Sequence, residues 1–203
     1  MNNNLFNKCL TYDLEKLFKK KGYLFFTKGN YNLNIIGVRS NQGRKVTNKF
    51  DDVLIVDYNT PTGHRRDIYS ITTDPGLYYM KNPINKIGTG ILVPNQYKST
   101  YALDYHNGKY LALCQRLKPV EVYRDNNKDD VYDLYPEKIE RGMFGVNIHK
   151  SGTDSTQIDK WSAACQVFAN EKYFNEFIAT CKKARDTYGN SFTYTLITEE
   201  DMI

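Results

Sequence analysis

Short runs of β-branched and aromatic residues recur along most of this chain and constrain its fold more than any other feature. Such runs, separated by Gly, Pro, Asn and Asp, are typical of strands that present one face to a core. They predict strands at residues 23–27, 33–39, 52–58, 67–73, 89–94, 109–115, 119–124, 143–149, 166–168 and 191–197. The polar stretch 125–138 is expected to be a loop or hairpin tip. The chain is therefore expected to be mainly β.

Two segments have the apolar spacing of an amphipathic helix. They are residues 10–21, with Thr11 as the expected cap and Gly22 as the end, and residues 171–188, between Asn170 and Gly189. We expect a single domain over residues 1–203, in which two helices flank a β-rich body. Residues 1–30 would form an N-terminal helix and strand elaboration.

Size and composition agree with a folded β-rich protein. The chain has 203 residues, among them 17 Tyr and 10 Phe, which favours order over disorder. The net charge of +5 would attract anionic polymers such as cell-wall material. The basic residues are scattered, and the tight run at residues 19–21 closes a predicted helix, which argues against nucleic-acid binding.

The four cysteines predict neither a metal nor a cofactor. None belongs to a Cys-x-x-Cys pair, and no Cys/His cluster has the spacing of zinc ligands. Cys114 and Cys181 fall on predicted apolar faces and are expected in the core. The Asp-rich part of 125–138 lacks the glycine and the closing Glu of a calcium loop, so we interpret it as solvated.

Cys165 is the strongest candidate for chemistry. It lies in the segment IHKSGTDSTQIDKWSAACQVF, with His149 ahead of it and the small residues Ser162 to Ala164 directly before it. A cysteine nucleophile requires an imidazole base and backbone N–H groups aimed at the developing oxyanion. A buried cysteine in an ordinary strand is the structural alternative, and the spacing alone does not exclude it.

This segment resembles the signature of the L,D-transpeptidase (YkuD-like) catalytic domain, in which a histidine is followed, after a loop, by Ser/Thr-His-Gly-Cys. His149 matches the leading histidine, Ser162 the Ser/Thr and Cys165 the nucleophile, whereas Ala163 and Ala164 replace the histidine and the glycine. The resemblance covers residues 143–168 and implies a β-sandwich in which a cysteine thiolate attacks a peptide carbonyl. It also implies that His149 is the base.

Further site residues are expected around this pair. Ala164 would help to form the oxyanion hole, and Ser162 would orient the loop. Trp161, Arg116 and His106 are candidates for substrate binding, since an arginine pairs with a stem-peptide carboxylate and His106 could supply the imidazole that Ala163 lacks. The alternatives are a packed tryptophan, a surface arginine and a loop histidine.

The sequence-based hypothesis is a cysteine-dependent peptidoglycan hydrolase or transpeptidase of the phage type, an endolysin or virion-associated lysin. The N-terminus lacks the apolar region of a signal peptide, and no window predicts a membrane span. The protein is therefore expected to be made in the cytoplasm and to reach the cell wall after release or as part of a virion, where tail proteins would be partners. The alternative is a catalytically inactive phage structural or wall-binding protein on the same fold.

Overall fold

The computed structural model describes residues 3–41 and 43–203, and the expectation of a mainly β protein is confirmed. The strands are β1 (Asn34–Arg39), β2 (Asp52–Thr60), β3 (Gly63–Thr72), β4 (Thr89–Leu92), β5 (Gln96–His106), β6 (Tyr110–Gln115), β7 (Val120–Asp125), β8 (Ile139–Gly142), β9 (Ile148–Lys150), β10 (Gln166–Phe168) and β11 (Phe192–Thr198). The helices are α1 (Asn3–Thr11), α2 (Leu14–Lys21), α3 (Leu77–Lys81) and α4 (Glu171–Tyr188). Short 3₁₀ turns lie at Pro136–Lys138 and Glu199–Met202.

Eight strands close into a barrel in the order β1-β11-β5-β6-β9-β10-β3-β2, and β4-β7-β8 form a separate small sheet. The expected sandwich with two flanking helices is therefore not what forms. The reason lies in β1, which pairs with β2 on one side and in parallel with β11 on the other. Because the first and the last strand of the chain pair with each other, the main sheet closes on itself. It has no free edges and does not separate into the two layers of a sandwich.

The helices number four in the described chain, rather than two. The expected helix at 10–21 is broken at Tyr12, because Asp13 and not Thr11 caps α2 by accepting a hydrogen bond from the Lys16 N–H at 3.0 Å. Gly22 ends α2 with φ +69°, as expected. Helix α4 has the predicted bounds, begins at the Asn170 cap and ends at Gly189.

The predicted strand at 23–27 does not form, although its backbone groups are paired. The side-chain amide of Gln96 bonds both the N–H and the C=O of Leu24, each at 2.9 Å. The Asn34 amide does the same for Phe26, at 2.7 and 2.9 Å. Two amide side chains thus satisfy backbone groups that a neighbouring strand would otherwise pair. The alternation of apolar residues is the same in both cases, so the sequence could not distinguish them.

The predicted strand at 143–149 is shortened to Ile148–Lys150 for a similar reason. The Gln115 side-chain oxygen accepts hydrogen bonds from the N–H groups of Phe144 and Val146, both at 3.1 Å. These backbone groups are therefore unavailable for a regular ladder, and the segment before β9 follows an irregular path.

Strands β1 and β2 are buried on both faces. On one face, Ile35 and Leu54 belong to the main apolar cluster, which also contains Phe174, Phe177 and the buried Cys181 of α4. On the other face, Ile36 and Val53 join a second cluster, to which α1 and α2 contribute. No helix in the described ranges is long and apolar enough to cross a membrane.

Gly37 is predicted to be intolerant of a side chain. A Cβ atom there would overlap the Tyr194 hydroxyl and lie 3.2 Å from Leu196 Cδ1. We expect Gly37→Ala to lower the free energy of unfolding by about 2 kcal/mol, as overpacking does in a dense core. Urea unfolding measures this loss, and it should shrink in a Tyr194→Phe background. An equal loss in both backgrounds would contradict the clash.

Candidate active site

The site is built on the parallel pair β9–β10. Gln166 pairs with Ile148 and Val167 with His149, so Cys165 directly precedes the strand that lies beside His149. The Gln166 N–H donates to the Asn147 carbonyl at 2.9 Å, which places Cys165 beside Asn147, one position ahead of the ladder. Side chains two apart on a strand share a face, so Asn147 and His149 project to the same side.

The Cys165 thiol has two hydrogen-bond partners among the described residues. It accepts from the Asn147 N–H at 3.4 Å and donates to the Gly145 carbonyl at 3.5 Å. Burial raises the pKa of the Cys165 thiol to about 11, although the Asn147 N–H opposes this change. Cys165 nevertheless remains partly exposed, whereas Cys9, Cys114 and Cys181 are buried.

His149 is only 4% exposed and has a defined orientation. Its Nδ1 lies 2.8 Å from the Lys150 carbonyl, which can only accept, so Nδ1 carries the proton and Nε2 is the free base. The Tyr110 hydroxyl donates to the same carbonyl at 3.3 Å. Burial first and the neighbouring His106 second lower the pKa of His149 to about 4.

Within the described chain, no hydrogen bond joins Cys165 to His149. The pKa values of the two groups describe a neutral thiol and a neutral imidazole in the cleft. The physical reason is that burial penalises the charged form of both groups, and the resting thiol hydrogen points at Gly145 rather than at the ring.

The turn before Cys165 is held by buried polar side chains. Ser162 is fully buried, and its hydroxyl donates to the Cys165 carbonyl at 2.7 Å. The buried Gln166 side chain donates to the Ala164 carbonyl at 3.1 Å and accepts from the Tyr194 hydroxyl at 2.7 Å. Ala164 adopts φ +135°, a conformation that favours glycine.

A cleft of about 730 Å³ opens in front of this turn. Six of the seven residues predicted for the site line it, namely Cys165, His149, Ala164, Trp161, Arg116 and His106. Ser162 is the exception, because it lies beneath the turn and acts on its backbone. The orienting role expected of Ser162 stays a prediction, to be judged by the hydrogen bond that its hydroxyl donates to the Cys165 carbonyl.

The three candidates for substrate binding occupy different positions in the cleft. His106 stacks on His149 with ring centroids 4.2 Å apart and an interplanar angle of 20°. Trp161 is 44% exposed and is therefore not a core residue. Arg116 is half-exposed and pairs with Asp104 at 2.7 Å, so its charge is partly compensated.

Sequence reasoning missed three basic residues of the cleft, Lys109, Arg124 and Lys160. Lys109 follows the Asn107-Gly108 turn after His106, so the hairpin signal could have revealed it. Lys160 precedes Trp161, whereas Arg124 comes from β7 of the small sheet and has no local signal. The described residues lining the cleft include no carboxylate, which makes it electropositive.

His64 is half-exposed and pairs with Asp57 at 2.9 Å, away from the cleft. The described part of the chain has no group of three or more His, Cys, Asp or Glu side chains arranged to hold a metal ion.

Comparison with models of protein families, with curated proteins and with solved structures finds no match to this chain. Membership of the L,D-transpeptidase family therefore stays a prediction that depends on residues 143–168.

Ala164 generates a stability prediction. Ala164 has a φ of +135°, which glycine adopts without steric cost. Glycine also makes the unfolded chain more flexible, which offsets part of the gain. We therefore expect Ala164→Gly to raise the free energy of unfolding by about 1 kcal/mol net. Ala163→Gly is the matched control, since Ala163 has no positive φ and should lose stability. Chemical denaturation measures both, and a loss for Ala164→Gly would contradict the strain.

The resting thiol generates a pH prediction. With a pKa of about 11, Cys165 should react with iodoacetamide at a rate that rises about tenfold per pH unit from neutral pH to about pH 10, with no plateau in that range. It should still react faster than Cys9, Cys114 and Cys181, which are buried. Mass-mapped labelling measures all four. A plateau reached below about pH 8 would instead reveal a thiolate–imidazolium pair.

Proposed function

We propose that this protein is a cysteine-dependent acyl transferase that cleaves peptide bonds in peptidoglycan stem peptides or cross-links. The observation that carries the proposal is the placement of His149 in β9 and of Cys165 directly before its parallel neighbour β10, with both residues lining one cleft. We favour hydrolysis, in which water and not a second amine resolves the thioester. The protein would then act as a phage endolysin or virion-associated lysin, and cross-link synthesis is the second form of the same chemistry.

The proposed reaction begins when the Cys165 thiol leaves the Gly145 carbonyl and transfers its proton to His149 Nε2. The thiolate attacks a peptide carbonyl next to a D-configured or meso-diaminopimelate centre. The resulting oxyanion lies near the Cys165 N–H, for which no acceptor is found among the described residues. The imidazolium then protonates the leaving amine, and water or a second amine resolves the thioester.

The charges of the cleft support a substrate that carries carboxylates. Arg116 and Arg124 each pair with one acidic residue, at 2.7 and 2.8 Å, whereas Lys109 and Lys160 have no such partner in the described chain. A stem peptide brings free carboxylates, which the two lysines would attract. Trp161 and the exposed Phe144 add apolar surface for the rest of the substrate.

Incubation of the purified protein with peptidoglycan sacculi tests the proposal. We expect new muropeptide masses with the wild type and a loss of at least about 1000-fold in rate for Cys165→Ala, because the nucleophile is removed. Cys114→Ala is the matched control, since that buried cysteine lies in β6 and faces the main cluster. Unchanged muropeptides with the wild type, or equal activity of Cys165→Ala, would contradict the proposal.

The basic residues generate a separate prediction. Lys160→Glu should raise KM about tenfold at low salt and change kcat little, because the residue attracts substrate without reaching the reacting atoms. Lys182→Glu is the control, since this exposed lysine of α4 does not line the cleft. Steady-state kinetics at low and high salt distinguish the two variants. An equal effect of both would mean that overall charge, rather than the cleft, attracts the substrate.

The second candidate is a wall-binding or virion structural protein without catalysis. The absent hydrogen bond between Cys165 and His149 and the neutral resting state of both groups favour it. Such a protein would pellet with sacculi and release no fragments, and Cys165→Ala would bind as the wild type does. Released muropeptides would exclude this candidate.

A further inference from the structure

His106 and His149 form a stacked pair of imidazoles drawn from different parts of the barrel. His106 ends β5 and His149 lies in β9, which is separated from β5 by β6. The rings are 4.2 Å apart and nearly parallel, and the Tyr110 ring lies 5.6 Å from His106. A stack of this kind restricts the orientation of both rings.

Hydrogen bonds assign a different tautomer to each ring. The Asn147 oxygen accepts from the Gln115 N–H at 2.9 Å, so its amide nitrogen is the group that faces His106 Nδ1 at 3.0 Å. His106 Nδ1 is therefore an acceptor, and the proton of the neutral ring lies on Nε2. The exposed Asn107 amide, 3.1 Å from Nε2, must then present its oxygen to that proton and not its nitrogen. His149 has the opposite arrangement, because its Nδ1 donates to the Lys150 carbonyl.

Protonation of this pair is opposed from several sides. A proton on His106 Nδ1 would face the Asn147 amide hydrogens, and Lys109 and Arg116 lower the His106 pKa further after burial. Around His149, the Tyr110 hydroxyl and the uncharged Cys165 thiol offer no negative charge. The Lys150 ammonium lies over the Tyr110 ring and pairs with Glu171, which compensates its charge.

We propose that His106 is a positioning residue that holds His149 as a neutral base in a fixed tautomer, with the two rings sharing at most one proton. A proton on either ring repels a second at this distance, so the pair titrates in coupled steps. The site thus retains a proton acceptor at acidic pH. This inference rests on the proposed function for its role in catalysis, although the ring contacts can be tested without any substrate.

Nitrogen-detected NMR of the imidazoles provides the test, and the chain has three histidines. In the wild type we expect Nδ1–H for His149, Nε2–H for His106 and midpoints for both below about 6.5, the ordinary value. His64, outside the cleft, is the internal control. Independent titration of both rings at about 6.5 would overturn the proposal without the need for a variant.

Two substitutions separate the contributions of His106. His106→Phe keeps an aromatic ring but cannot be protonated, so the His149 midpoint should rise by roughly half a pH unit or more while its tautomer stays fixed. His106→Ala also removes the stack, and the His149 tautomer should become mixed. Neither substitution should alter the NMR signals of His64, which lies outside the cleft. An unmoved His149 midpoint in folded His106→Phe would refute the coupling, whatever the muropeptide assay shows.

Discussion

The three-residue parallel pairing of β9 with β10 is the interaction on which the candidate site depends. Parallel neighbours cannot be joined by a tight turn, so residues 151–165 must leave the barrel and return to it. The return is fixed by Ser151, whose hydroxyl donates to the Phe168 carbonyl at 2.8 Å, and by the Ser155 N–H, which donates to Ala169. The crossover therefore arrives at Cys165 in a defined register with His149.

Gln166 connects this register to the far side of the barrel. Its fully buried amide contacts Tyr194 of β11, the Ala164 carbonyl and, at 3.4 Å, the Thr73 carbonyl. A buried amide is stable only when its donors and acceptor are satisfied, so these contacts are interdependent. Gly37 leaves the space for the Tyr194 hydroxyl. The turn ahead of Cys165 thus rests on contacts from three separate parts of the chain.

The sequence predicted those elements whose ends are marked by neighbouring residues, and it failed where distant residues determine the structure. Helix α4 was predicted with its bounds because Asn170 and Gly189 mark its ends within the segment itself. The strand at 23–27 failed because the side chains of Gln96 and Asn34 take over its backbone groups from a distance. The closure of the barrel depends on the pairing of β1 with β11, which no alternation pattern encodes.

The candidate site likewise combines residues that a local motif identifies with residues that only the tertiary fold brings together. Trp161, Ser162, Ala164 and Cys165 lie within one short segment, so a local motif was sufficient to select them. The stacking of His106 on His149 depends on the register of β5, a strand that the sequence reading did not identify. Arg124 comes from the small sheet and reaches the cleft only through the tertiary fold.

The charges in the cleft link the binding of an anionic substrate to the strength of His149 as a base. The thiol pKa of about 11 and the imidazole pKa of about 4 both oppose direct proton transfer from Cys165 to His149 in the empty cleft, because burial penalises both charged forms. A carboxylate bound near Lys109 and the histidine pair would raise the pKa of His149, because an opposite charge favours the imidazolium. A proton acceptor that is weak in the empty cleft would then be strengthened by an anionic substrate, so the basic residues would contribute to selectivity as well as to binding.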